Sequence, residues 1–144
     1  MGHEHAGHYA VKHSDTERPD ESVLKAVKDM CIDGTISCYS AMKLAADLKV
    51  NPDVIGRAID FQEIRIAKCQ LGLFGYMPEK RIVRVLDKVP PELEKTIRNA
   101  HDGDKLGCAE AWKIAELSGV RKMDVADACE TMKIKINRCQ LGAF

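Results

Sequence analysis

The stretch Ile64-Arg65-Ile66-Ala67-Lys68-Cys69-Gln70-Leu71-Gly72-Leu73-Phe74 returns 70 positions later as Ile134-Lys135-Ile136-Asn137-Arg138-Cys139-Gln140-Leu141-Gly142-Ala143-Phe144. Carried backwards without a gap, the same offset aligns Cys38 with Cys108, Ala41 with Ala111, Lys43 with Lys113, Ala45 with Ala115, Val50 with Val120 and Ala58 with Ala128. Of the 37 positions from Cys38 to Phe74, 13 are identical in the second copy. A fixed period of this kind is the mark of one module used twice.

Working outward from this stretch, the first module is predicted to begin with a helix near Asp20 or Ser22, where Glu21 suits the first turn. Val23, Leu24, Val27 and Met30 form its apolar stripe, and Asp33-Gly34 ends it. Thr35-Ile36-Ser37 has room only for a short strand. A second helix runs from about Tyr39 to Lys49, with Ala41, Leu44, Ala45 and Leu48 on one face. Pro52 opens a third helix to about Gln62, capped by Asn51 and burying Ile55, Ala58 and Ile59. A strand over Ile64–Gln70 follows, closed by Gly72. There Gly72 and Gly142 are expected at positive φ, with Leu71 and Phe74 covering the end of their own module.

Residues 77–90 read as a connector, and its Arg81-Ile82-Val83-Arg84-Val85-Leu86 run is β-branched and strand-like. The second module repeats the pattern: a helix from Pro91 to about Ala100, a helix carrying Ala111, Ile114 and Ala115, and a helix from about Lys122 to Met132. A strand over Ile134–Gln140 completes it. Its one expected difference is an extra residue between Gly103 and Cys108. The chain thus divides into a disordered tail carrying His3, His5, His8 and His13 (residues 1–20), a first module (21–76), the connector (77–90) and a second module (91–144).

Helix, short strand, helix, tight turn, helix, strand resembles the winged helix-turn-helix superfamily. The core pattern is Ala41-x-x-Leu44-Ala45-x-x-Leu48-x-Val50 followed by Ile55-x-x-Ala58-Ile59. Ala111-x-x-Ile114-Ala115 with Val120, Val125 and Ala128 matches it in the second copy. The expected fold class is therefore mainly α with short β strands, in two tandem winged helix-turn-helix-like modules. One departure is visible: the family's wing is a hairpin, and the second copy has one strand for it.

The resemblance implies a small DNA-binding, transcription-regulating protein whose paired heads read two half-sites. Outward positions of the reading helix would be Val54, Arg57, Asp60 and Phe61 in the first copy. In the second they would be Asp124, Asp127, Glu130 and Thr131, where three carboxylates would repel phosphate. Asn51, Arg57, Arg121 and Lys122 are the best contacts these helices offer. Cations common to both copies are Lys43 with Lys113, Arg65 with Lys135 and Lys68 with Arg138. They fit either solvent-facing charge or a phosphate-contacting rim that positions without reading sequence.

Composition bears on the same choice. The chain of 144 residues carries 22 Lys+Arg and 22 Asp+Glu, so it lacks the basic excess of a protein held mainly by phosphates. That neutrality favours the other expected class, a non-enzymatic protein–protein adaptor or small accessory subunit of a larger complex, a redox complex among the candidates. Each module of about 55–60 residues is near the lower limit for an independent core. Cys38 and Cys69, repeated as Cys108 and Cys139, admit three readings: buried packing, a thiol switch, or metal or cluster ligation. The thiol- or metal-responsive switch is the third expected class. If the two short strands of a module pair antiparallel, its two cysteines would be neighbours.

Trp112 reads as packing, and His101 has no Ser, Cys or carboxylate arrangement beside it that both copies share, so no enzyme activity and no cofactor are expected. No apolar run reaches membrane length and no signal-peptide core is seen, so a cytoplasmic location without membrane contact is expected. Expected partners are DNA or a protein, with a homodimer left open.

Overall fold

The computed structural model describes residues 18–144. The expected His-containing tail lies outside them except for its last three residues. The chain is mainly helical with a few short strands. Helix α1 spans Glu21–Met30, β1 Thr35–Ser37, α2 Cys38–Leu48, α3 Pro52–Phe61 and β2 Arg65–Ala67. They are followed by α4 at Pro91–Ala100, β3 at Lys105–Gly107, α5 at Cys108–Ser118, α6 at Lys122–Thr131 and β4 at Lys135–Asn137. Each of the last five elements has the length of its counterpart among the first five and lies 70 residues after it.

The extra residue expected before Cys108 is absent; the glycine has moved by one position instead. Ile32 and Thr35 exchange backbone hydrogen bonds across Asp33-Gly34, and Asp102 and Lys105 do so across Gly103-Asp104. Asp33 and Gly34 have φ of 51° and 75°, the pattern of a type I′ turn. In the second turn only Gly103 is left-handed, at 62°, the pattern of type II′. Two turn chemistries thus give loops of one length.

Local rules fix the helix ends. The Ser37 hydroxyl accepts from the Ser40 N–H at 3.0 Å and caps α2. At the far end the Val50 N–H donates to the Ala45 carbonyl and the Lys49 N–H to that of Ala46, a Schellman closure. Helix α5 ends identically through Val120 and Gly119. The closing residue is left-handed in both, with φ of 56° at Lys49 and 67° at Gly119. Lys49→Gly is therefore expected to stabilise the protein by about 0.5–1 kcal/mol. Left-handed backbone penalises a residue with a Cβ by about 1 kcal/mol or more, and the greater unfolded-state entropy of glycine returns only part of that. A raised denaturation midpoint at unchanged slope is the readout.

The strands pair in parallel, not antiparallel. Thr35, Ile36 and Ser37 lie opposite Arg65, Ile66 and Ala67, and Lys105, Leu106 and Gly107 opposite Lys135, Ile136 and Asn137. The reason is topological: the helix pair between the strands returns the chain to the same end of the sheet. Each sheet has two strands, and no third strand joins either among the described residues. The second strand of each pair is also shorter than expected. It stops before a left-handed residue, Lys68 at φ 51° or Arg138 at φ 50°.

The chain divides into two compact units, and the division differs from the expected 21–76, 77–90 and 91–144. The first unit contains the described residues up to Cys69 together with Gln140–Phe144; the second contains Gln70–Cys139. The first is built on α1, α2 and α3 around Val27, Ile36, Ile55 and Ile59, all at most 2% exposed. Gln62 ties it across, donating through Nε2 to the carbonyls of Leu24 and Ala58. The second is built on α4, α5 and α6 around Ile97, Leu106, Val125 and Cys129. Met30 and Leu48, expected in apolar stripes, are exposed, because each lies at the last turn of its helix beyond the packed face.

Candidate functional site

The third helix of each unit carries the residues expected to face a ligand, and in each unit another part of the chain lies against it. Helix α6 buries five consecutive residues, Val125 to Cys129. A helix facing one core buries about every third or fourth position, so α6 is covered on two sides. Part of the second cover is the run 81–86. It forms no strand among the described residues, contrary to its β-branched composition. Instead the Arg84 N–H donates to Asp127 Oδ1 at 2.8 Å and the Leu86 N–H to Thr131 Oγ1 at 2.8 Å. Alternate N–H groups of a strand-like chain point the same way, and residues four apart share a helix face, so the two periods match. Thr131 Oγ1 donates in turn to the Asp127 carbonyl, and Arg81 pairs with Glu130 at 3.1 Å.

Three of the carboxylates expected to face outward are thus committed. Asp127 is buried at 4% exposure, Glu130 holds Arg81, and Asp124 accepts from the Arg121 N–H and side chain. The Arg121 guanidinium beside it holds the Asp124 carboxyl below the usual carboxylate range. Arg81 continues from a turn in which Tyr76 and Lys80 bridge, and the Ile82 N–H donates to the Gly72 carbonyl at 2.8 Å. Leu71, expected to cover its own module, is fully buried within the second unit instead.

On α3 the cover is the stretch after β4. A Cβ added to Gly56 would overlap the Leu141 carbonyl oxygen and come within 2.8 Å of its carbonyl carbon. The Leu141 backbone therefore rests on the helix where Gly56 has only hydrogen, a contact open to Cα–H···O attraction. Leu141 is 3% exposed there, and Gly142 takes φ of 80° as expected. Asp60, expected to face outward, is 6% exposed. Periodicity alone does not single out Gly56. Its signal is a glycine inside a helical pattern, where it costs about 1 kcal/mol relative to alanine and calls for a packing reason.

Most of the expected nucleic-acid contacts are spread over exposed surface and several are ion-paired. Arg57 pairs with Asp53 at 2.9 Å, Lys43 with Asp47 at 3.6 Å, Arg121 with Asp124 at 2.9 Å and Arg138 with Glu110 at 3.5 Å. Arg57 is only part-exposed, and its Nε is buried without a hydrogen-bond partner among the described residues. Lys122 stacks over the Trp112 ring, 4.5 Å from its centroid. Asn51 precedes α3 with its side chain making no capping bond. Arg65, Lys68, Lys113 and Lys135 are exposed. In the second unit Arg138 reaches the start of α5, where its Nη2 would lie 2.9 Å from a Cβ placed on Gly107.

No family model matches the chain, no curated protein matches its sequence and no solved structure matches its fold.

None of the six cysteines forms a disulfide. Cys38, Cys69 and Cys108 are buried and Cys139 is half-buried, while no cluster of three or more ligating side chains occurs among the described residues. Burial pushes the Cys129 thiol up to about 12. Its protonated form therefore adds stability below pH 9, which is lost as pH rises from there through 12. At pH 8 iodoacetamide is expected to label the half-buried Cys31 and Cys139 well before Cys129, because the thiolate is the attacking species. Mass mapping of a labelling time course checks this order.

Proposed function

We propose that the protein is a non-enzymatic adaptor that binds polypeptide, built from two modules resembling winged helix-turn-helix units. Their third helices receive the protein's own non-helical chain in place of the DNA groove. The observation that carries this reading is the seating of residues 81–86 on α6 through Asp127 and Thr131. The face that would read bases is taken up by the protein's own backbone, and its polar side chains are matched to N–H donors instead of base edges. Neutral net charge supports the same reading. So do Ile32 and Tyr39, which the first unit exposes at 73% and 59% where the second carries Asp102 and Ala109.

DNA binding through the exposed Arg65, Lys68, Lys113 and Lys135 is the competing reading, and one titration separates the two. Anisotropy of a labelled generic duplex is expected to show no binding at 50 mM salt, where a protein making several phosphate contacts would bind and then lose affinity steeply by about 200 mM. Steep salt-dependent binding would return the protein to the DNA-binding class. A single partner co-purifying in stoichiometric amount from the native source is the expected positive result.

A further inference from the structure

We infer that the groove on α3 is a peptide-recognition site and that residues 140–144 are its built-in competitor. This rests on the adaptor reading and names its ligand: a turn-forming segment carrying Leu-Gly, with the glycine at positive φ. The occupant is argued from the segment already seated there. Leu141 is buried, Gly142 has φ of 80°, and the Leu141 backbone meets α3 at Gly56. The fit is specific to this helix, because α6 has Ala126, 1% exposed, at the corresponding position. Only α3 offers a floor without a Cβ. Close main-chain approach at Gly56 and burial of the leucine side chain supply the affinity.

The tail is attached to the same chain, so it competes at an effective concentration of about 1 mM, the range for short tethers. An outside peptide of the same sequence therefore meets a mostly closed site. A partner opens it by binding more tightly or by adding a second contact elsewhere.

The test uses the full chain and a fluorescein-labelled heptapeptide copying residues 138–144 with Cys139→Ser. Wild-type protein is expected to bind it only near millimolar peptide. Leu141→Asp in the protein removes the competitor and is expected to tighten binding about tenfold or more. Adding Gly56→Ala to that variant should abolish the gain, and a peptide carrying Leu141→Asp should not bind. If Leu141→Asp protein melts cooperatively and gains no affinity, the inference falls.

Should that variant not fold, wild-type hydrogen exchange decides. Amides of residues 140–144 are expected to lose protection at saturating peptide, and unchanged protection would overturn the inference. A concentration-dependent doubling of mass in wild type would also overturn it, by assigning the groove to a second copy. A generic duplex run in parallel keeps the two readings apart. Salt-sensitive duplex binding counts against the adaptor function itself. Failure of peptide and duplex alike removes only the groove inference.

Discussion

Asp127→Ala is expected to cost about 2 kcal/mol, the range for losing a hydrogen bond to a charged acceptor and leaving its donor poorly paired. The carboxylate is 4% exposed and receives the Arg84 N–H at 2.8 Å. Asp127→Asn keeps an oxygen at that place and should cost less than half as much. The pair of variants separates acceptor from charge. Exchange of the Arg84 and Leu86 amides should accelerate in Asp127→Ala while amides of α4 and α5 remain protected, which marks local release of the 81–86 run and not general loosening. Equal stability of Asp127→Ala and wild type would show that water replaces the carboxylate and that the run is not held by it.

Gly56→Ala is expected to destabilise by about 1–2 kcal/mol, against the usual sign for glycine-to-alanine changes inside helices. Helix propensity favours alanine by about 1 kcal/mol. Against that, the added methyl overlaps the Leu141 carbonyl, and backbone cannot rotate aside as a side chain can. The tail must lift, exposing a leucine whose burial is worth about 1.5–3 kcal/mol. The lost burial outweighs the gain in helix propensity and sets the sign. Circular dichroism should show helix content unchanged or raised while the melting temperature falls. A rise in melting temperature would mean that the tail contributes little to the first unit.

The helices were legible almost to the residue. Pro52 and Pro91 mark the first positions of α3 and α4, and the α3 and α6 ends predicted at Gln62 and Met132 lie one residue beyond those observed. Capping and breaking are local chemistry, so they can be read from neighbours in sequence. What was not legible is what lies against each face. Asp60 and Asp127 sit at positions that periodicity assigns to solvent, yet both are buried, Asp127 beneath the distant run 81–86. Periodicity finds one apolar stripe and has no means of seeing a second cover held by polar atoms. Pairing direction was missed for a related reason: three-residue strands carry no alternation from which direction can be read. The Leu-Gly tails were recognised as a repeated motif, but sequence places them only next to their own strands. Gly56 was the available clue.

The unit boundaries at residues 69/70 and 139/140 carry a consequence for biogenesis. The last piece of the first unit is translated some seventy residues after its strand β2, so the ribosome releases a nascent intermediate in which α3 lies bare along one side. That intermediate persists for several seconds at ordinary elongation speeds of about 5–20 residues per second. A chaperone or a bound partner that shields this helix during synthesis would act before the mature protein has any means of shielding it.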